Sequence, residues 1–443
     1  MENKTYSTAT KLTLIAKRSK EKPQEKFTSL MHLLTEEYLV ECYKELKRGK
    51  AAGVDGITKE SYTDESIKQA IKETVAEIKA KRYKPQPARR VFIMKANGKQ
   101  RPLGIPTIID KVVQLAIKKI VEIIYEPHFL DSSYGFRPGR NCHQALKAVH
   151  EMVMTKPINW IIDVDIKGFF DNVDHDWLIK CLEEKISDPN FKSLIIKFLK
   201  AGVMEDGKYS KTDKGTPQGG ILSPLLANIY LHYCLDLWFE VVEKKKIKGY
   251  TQIIRYADDF IIGTQTEIEA HQILADLKER LSKFKLEVSI EKTGIKEFGR
   301  YAEQNSKNRG KNKTDTFDFL GFTHYCSKSR RGYFLMKAKT SKKRQTKALK
   351  EMNIWLKKTR NRIKVKQLWT RLASKMRGHF NYYGISANSR SINNFHYQTI
   401  KLVFKWMNRR SQKKSFNWKT FDNYTKLYPL PKPILAFNLY DIW

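Results

Sequence analysis

Residues 252–263 read QIIRYADDFIIG, two apolar runs of strand length that meet at an adjacent pair of aspartates. Apolar, β-branched residues on both sides predict two short strands around Ala257-Asp258-Asp259. Two carboxylates side by side between apolar strands are costly unless a cation compensates them. Hard oxygen ligands next to substrate phosphates are what Mg²⁺ prefers. The pair also reads as a plain solvated Asp-Asp turn, and short motifs match by chance often enough that it decides nothing alone.

A distant segment supplies a third acid. Residues 160–164 (WIIDV) predict a buried strand running into Asp165, followed by Ile166-Lys167-Gly168-Phe169-Phe170-Asp171. Three acids can hold two metal ions, one to activate a primer hydroxyl and one to steady a leaving pyrophosphate during in-line displacement. Asp163, two residues back on the same strand face, is a rival ligand. Asp171 equally reads as a helix or turn cap. The whole reading hangs on Asp165 meeting Asp258 and Asp259 in space.

Around these motifs the chain divides into three parts. Residues 1–27 are polar and predict a loose extension. Residues 28–334 mix strands and helices without a regular βαβ repeat, which predicts an α+β core. Within it, 28–83 has helical spacing broken by the glycine-rich stretch 49–58, and Pro85 and Pro87 end it. Residues 91–94 and 100–105 predict a basic hairpin with Asn97-Gly98 in its turn. An amphipathic helix is expected at 110–125, another helix at 267–284, and a closing segment at 319–322. The stretch 302–316 is polar and predicts a mobile loop. Residues 335–443 predict helices, with Leu368, Trp369, Leu372, Met376 and Phe380 on one face.

Charge narrows the partner. The chain has 84 Lys/Arg against 47 Asp/Glu, a formal +37. Between 335 and 443 the count is 26 Lys/Arg against three Asp/Glu. Such a surplus would repel itself, and a polyphosphate backbone is its natural counterpart. No stretch reads as long and apolar enough to span or anchor in a membrane. The cysteines at 42, 142, 181, 234 and 326 form no C-x-x-C pair, which argues against zinc and for a reducing compartment. The start has only residues 12–16 as an apolar patch, too short for a signal-peptide core. Cytoplasm is the expectation, with nucleoid association open.

The motifs together resemble one family. Tyr256-Ala257-Asp258-Asp259 resembles the catalytic hairpin of reverse transcriptases, and Asp165 to Asp171 their first metal-binding motif. Gly215-Thr216-Pro217-Gln218-Gly219-Gly220-Ile221-Leu222-Ser223-Pro224 is similar to the nucleotide-pocket motif. Arg101-Pro102-Leu103-Gly104-Ile105-Pro106 and Tyr134-Gly135-Phe136-Arg137-Pro138-Gly139-Arg140 are similar to finger motifs. With Ser289-Ile290-Glu291-Lys292-Thr293 and Phe319-Leu320-Gly321-Phe322 they stand in the family's order. The combination resembles group II intron reverse transcriptases and maturases over residues 28–443.

That resemblance implies a right-hand polymerase with fingers and palm, followed by a helical thumb or maturase domain. It implies Asp165, Asp258 and Asp259 as ligands of two Mg²⁺ ions, with Mn²⁺ as a substitute. Pro217 and Gln218 would line the incoming dNTP, and Lys95 and Arg101 would grip its triphosphate. Phe170 would lie under the sugar and exclude a 2′-hydroxyl, so the product would be DNA. Lys292 reads as a general acid for pyrophosphate or as a surface lysine. Arg137, Arg140, Arg377 and His379 would contact nucleic acid, the last two within Arg377-Gly378-His379-Phe380-Asn381-Tyr382-Tyr383. Each also reads as an ordinary solvated or packed side chain. The partners implied are an RNA template, a DNA or RNA primer and structured group II intron RNA. No Cys cluster follows the helical region, so the 3′ end to be extended is expected from another source.

Three other readings stay open on sequence. One is a domesticated relative used in DNA repair or phage defence. Another is a maturase that binds RNA without polymerising, against which the intact acids count. The third is an RNA-dependent RNA polymerase, opposed by Phe170 and by the Tyr-Ala context of the acid pair.

Overall fold

A computed structural model describes residues 7–94, 100–412 and 415–441. Among these described residues the strands form three sheets. The first contains β1 (Ala88–Met94), β2 (Gln100–Ile105), β4 (Val203–Glu205) and β5 (Lys208–Ser210), in the order β2-β1-β4-β5. The second, central sheet contains β3 (Trp160–Asp165), β6 (Thr251–Tyr256), β7 (Asp259–Thr264) and β8 (Gly294–Glu297), in the order β6-β7-β3-β8, all antiparallel. The third is the antiparallel set β11-β10-β9, with β9 at Thr316–Phe319, β10 at Phe322–Lys328 and β11 at Phe334–Thr340.

The central sheet is buried on one face and divided on the other. Successive side chains alternate across a strand. Ile162, Val164, Ile253, Phe260 and Ile262 therefore point one way, into the main core under the helices Ile108–Tyr125 and Ser223–Lys246. Ile161, Ile254 and Ile261 point the other way, into a second core shared with the helix Cys142–Thr155 and the third sheet. That second face becomes acidic at its end, where Asp163, Asp165 and Asp259 continue the same register. The fold thus puts carboxylates where the apolar cover runs out.

Beyond the third sheet, the helices Lys342–Thr359, Val365–Tyr383, Ser389–Met407 and Trp418–Leu427 close their own core around Leu368, Leu372, Met376, Phe380, Phe395 and Trp406. Apolar residues at helical spacing on Val365–Tyr383 account for this, and Trp369 sits at its edge, donating its indole N–H to Tyr428 O at 2.9 Å. Lys342, Lys343, Arg344, Lys350, Lys357 and Lys358 stay exposed on the first of these helices.

Several expectations are corrected. Residues 8–21 are not loose: Thr8–Glu21 is a helix capped by Ser7, with Leu12 and Ile15 packed on the main core. Its Ser19 Oγ donates to Ile124 O at 2.7 Å. The stretch 302–316 holds the helix Ala302–Asn308 and ends in β9. The helical region begins at Lys342, because β11 pairs along its length with β10 and so belongs to the sheet before it. Among the described residues one helix, Ser223–Lys246, is long and apolar enough to cross a membrane, yet most of it is buried inside the fold.

Candidate active site

The strands β6 and β7 are joined by the two-residue turn Ala257-Asp258, with Tyr256 paired to Asp259. Ala257 takes φ +59°, a conformation that L side chains with larger Cβ substituents tolerate poorly. Asp165, at the end of β3, is the direct partner of Asp259 in the neighbouring ladder. Residues directly opposed in antiparallel strands lie about 5 Å apart between Cα atoms. Three acids from two distant parts of the sequence therefore meet at one corner of the central sheet.

Their electrostatics follow from this crowding. Burial and the carboxylates of Asp163, Asp258 and Asp165 push Asp259 up to about 7. Asp259 is exposed to solvent, so the neighbouring acids weigh more than burial in that rise. Burial, with Asp318 and Asp165, likewise pushes Asp163 up to about 7, against the pull of Lys296. Asp258 is raised by burial and by Asp165, opposed by Arg101 and Arg255. Mutual repulsion of this kind is what a bound divalent cation relieves.

Among the described residues no three acid, histidine or cysteine side chains enclose an ion by themselves. That fits a site completed by substrate, since Mg²⁺ is usually held by one or two carboxylates plus phosphates rather than an all-protein cage. One carboxylate oxygen of Asp165 is meanwhile taken by Lys292, whose Nζ lies 2.7 Å away.

Along Phe170 and Asp171, in the segment that follows Asp165, lies a cavity of about 400 Å³ lined also by Arg90, Gly104, Pro217 and Gln218, among others. The Pro217-Gln218-Gly219 loop is tied to β2: Gly104 N–H donates to Gln218 O at 2.6 Å. Gly219 has φ +108°, and a Cβ there would meet Gly104 O at 2.6 Å, so only glycine lets the two backbones approach. Gln218 Nε2 donates to Asp171 Oδ1 at 3.0 Å. Phe169 is buried in the main core, whereas Phe170 sits half-buried at the cavity wall, edge-on to it at 5.3 Å.

The remaining predicted residues fall less uniformly. Arg101 is exposed on β2 and acts electrostatically on Asp258. Lys95 lies outside the described residues. Arg137 is not an open phosphate contact: it is buried, paired with Glu126, and donates to Leu130 O and Ser133 O at 2.7 and 2.8 Å. Its motif does not reach out from the first sheet but runs beside β6, where Tyr134 N–H donates to Arg255 O at 2.9 Å. Arg140 is half-buried against Asp131 and the Tyr134 ring. His379 is also corrected, since its ring is stacked on Phe395 at 3.6 Å and burial pushes it down to about 4, leaving it neutral. Arg377, two residues before it, is exposed.

Sequence reasoning missed Arg255, Asn228 and Asp236, which lie behind the turn, and Asp318, beside Asp163. The signal for Arg255 was present: a cation at a core-facing position of an apolar strand has to find buried partners.

The model of the family described as Reverse transcriptase (RNA-dependent DNA polymerase) matches residues 93–324, about half of the chain. The chain belongs to the reverse transcriptase family. It is 48% identical over 223 residues to the group II intron-encoded protein LtrA of Lactococcus lactis subsp. cremoris, covering 49% of this chain and 36% of that protein. Protein YkfC of Escherichia coli (strain K12) is 34% identical over 310 residues, 62% of this chain and 80% of the relative. Nuclear intron maturase 4, mitochondrial, of Arabidopsis thaliana is 32% identical over 147 residues, 32% of this chain and 18% of the relative. The reverse transcriptase match contains the three acids and the cavity lining apart from Arg90, and it ends before the basic helices.

Proposed function

We propose that this reverse transcriptase family member is an RNA-directed DNA polymerase of the group II intron kind, which copies an RNA template from a DNA or RNA primer. The observation that carries the reading is the direct pairing of Asp165 with Asp259 beside the Asp258 turn. The first sheet is then the fingers, the central sheet the palm, and the helices from 342 the thumb or maturase domain.

The clustered, mutually raised carboxylates fit a hard divalent cation, and Asp165, Asp258 and Asp259 would hold two Mg²⁺ ions, with Mn²⁺ able to replace them. Such ions supply charge neutralisation at the attacking hydroxyl and at the leaving pyrophosphate. The protein's own groups do the rest. Arg101, close enough to act on Asp258, faces the place of the triphosphate. Pro217 and Gln218, pinned to β2 and Asp171, give the nucleotide a rigid wall. Phe170 fills the space a 2′-hydroxyl needs, so deoxyribonucleotides are selected. Lys292, already on the Asp165 carboxylate, is placed to meet pyrophosphate charge.

The exposed cations of the helical region support binding of the template–primer and of folded intron RNA, hence a part in splicing. Phe380, Phe395, Trp406 and Phe421 are buried there and Trp355, Trp369 and Phe404 pack against them, so phosphate contacts more than base stacking carry this. Work in the cytoplasm is supported by five cysteines standing as free thiols.

The test is primer extension on a primed RNA template with dNTPs or rNTPs, in Mg²⁺, Mn²⁺ or chelator. Extension with dNTPs that needs the metal is expected. Tight RNA binding with no extension in either metal would leave only the maturase role.

A further inference from the structure

Behind the acid turn lies a charge that the polymerase chemistry does not use. Arg255 on β6 is fully buried, on the sheet face opposite the acids. Its Nε donates to Asp236 Oδ1 at 2.7 Å, and Nη2 reaches the other oxygen of the same carboxylate. Nη1 donates to Asn228 Oδ1 at 3.0 Å and to Ala257 O at 2.9 Å. Nη2 also donates to Ser133 Oγ at 2.8 Å. All five N–H groups of the guanidinium are thereby used.

These bonds converge on one object. Ala257 O belongs to the turn itself. Asn228 Nδ2 donates to Gly135 O at 2.6 Å, and Gly135 is the residue on which the turn rests: a Cβ there would lie 2.3 Å from Ala257 N. The guanidinium thus holds the turn, with its unfavourable φ at Ala257, directly at its carbonyl and from beneath through Asn228 and Gly135.

The supporting helix is built to allow this. Asn228 and Asp236 stand on the continuous helix Ser223–Lys246, whose segment His232–Asp236 is π-helical. Eight residues of α-helix make about 2.2 turns, which would rotate the two side chains well apart. A π turn absorbs one extra residue, so the pair returns to about 1.9 turns and one stripe. The distortion brings both acceptors onto Arg255.

We infer that Arg255, held by Asp236 and Asn228, is the positioning residue for the Ala257-Asp258 turn, fixing Asp258 and Asp259 where a cation is taken up without touching substrate. The inference rests on the polymerase reading. A buried ion pair alone does not argue for it, because well-packed apolar residues often replace such pairs without loss of stability. The bonds to Ala257 O and to Asn228, which in turn holds Gly135, are what an apolar pair cannot reproduce.

The decisive variant is therefore the double replacement Arg255→Met with Asp236→Leu, alongside Arg255→Lys and Asn228→Ala. Each is compared with the wild-type chain in three measurements: thermal unfolding, Mn²⁺ binding by electron paramagnetic resonance without nucleotide, and single-turnover primer extension with template–primer affinity determined separately. The folded double variant is expected to bind Mn²⁺ about tenfold more weakly and to extend about 10–100-fold more slowly, with template–primer affinity unchanged. Arg255→Lys should reproduce most of this loss, since it keeps the charge but not the fork. A folded double variant with wild-type Mn²⁺ affinity and extension rate overturns the inference. If the double variant does not fold, the same criterion applies to Arg255→Lys and Asn228→Ala. Should the wild type not extend primers at all, the polymerase reading fails, and Mn²⁺ affinity alone decides the positioning role.

Discussion

The central sheet and the C-terminal helices handle charge in opposite ways. On the sheet a few acids are crowded at one corner, where Lys292 answers Asp165 and Lys296 answers Asp163 while Asp259 meets only other carboxylates. On the helices many cations stand apart and exposed, from Lys342 to Arg377 and beyond. Crowded charges act strongly because the surrounding protein cannot screen them, and their geometry is set by backbone pairing. Dispersed surface cations act through their sum and are screened by salt. Single substitutions should therefore be decisive in the first region and graded in the second.

The sharpest test of that contrast is Asp258→Asn. It keeps the shape and removes the charge, and polymerisation is expected to fall by at least about a thousandfold, read as single-turnover extension at saturating template–primer. A loss of only a few-fold would place the sheet acids in the graded class. Phe170→Ala should come next. Incorporation of rNTPs relative to dNTPs is expected to rise about 10–100-fold, and unchanged discrimination would reject its place under the sugar.

Two arginines sharpen the comparison further. Arg137→Ala leaves Glu126 without its buried partner and should lower stability by about 3 kcal/mol, measured by denaturant unfolding, with the RNA affinity of folded protein unchanged. Arg377→Ala should leave stability alone, weaken RNA binding about threefold and reduce the slope of log affinity against log salt by about 1. Reversal of these two phenotypes would undo the assignments made from burial.

The smallest effects concern pH. In metal-free protein Asp259 is raised to about 7, above its unfolded value near 3.9. Its contribution is present below about 4 and lost as pH rises through about 7, so Asp259→Asn should raise Tm slightly at pH 8 and not at pH 4. The buried histidines act with opposite sign. Burial holds His150 and His232 down to about 4 and His324 to about 3. The unfolded chain takes up these protons from about 6.5, so their contribution is full above that pH and lost on acidification towards 4. Thermal scans between pH 7 and 5 check this, and a flat profile would contradict the burial of these rings.

Much of the local architecture was readable because it is encoded within a few residues. Strand β2 runs over 100–105 as expected, β3 and β6 differ from expectation by one residue at an end, and β7 by one residue at each end. Apolar runs between turn residues specify such strands. The helix Thr8–Glu21 was missed because only Leu12, Ile15 and Ser19 anchor it, too few to outweigh its polar composition. Strand β11 was missed because Lys337 and Lys339 alternate with Met336 and Ala338, so its basic residues hid a period of two. Arg137 and Arg377 look alike in sequence, and only packing separates the buried one from the free one.

The sequence by itself determined which residues are acidic at strand ends, where the glycines permit close turns, and that the last quarter is overwhelmingly basic. Tertiary structure decided which of these meet. Asp165 faces Asp259, Lys292 reaches Asp165 across 127 residues of chain, and Arg255 finds Asp236 through a π-helical turn. Periodicity and turn chemistry act over a handful of bonds, whereas the pairing of side chains far apart in sequence is set by how sheets and helices pack.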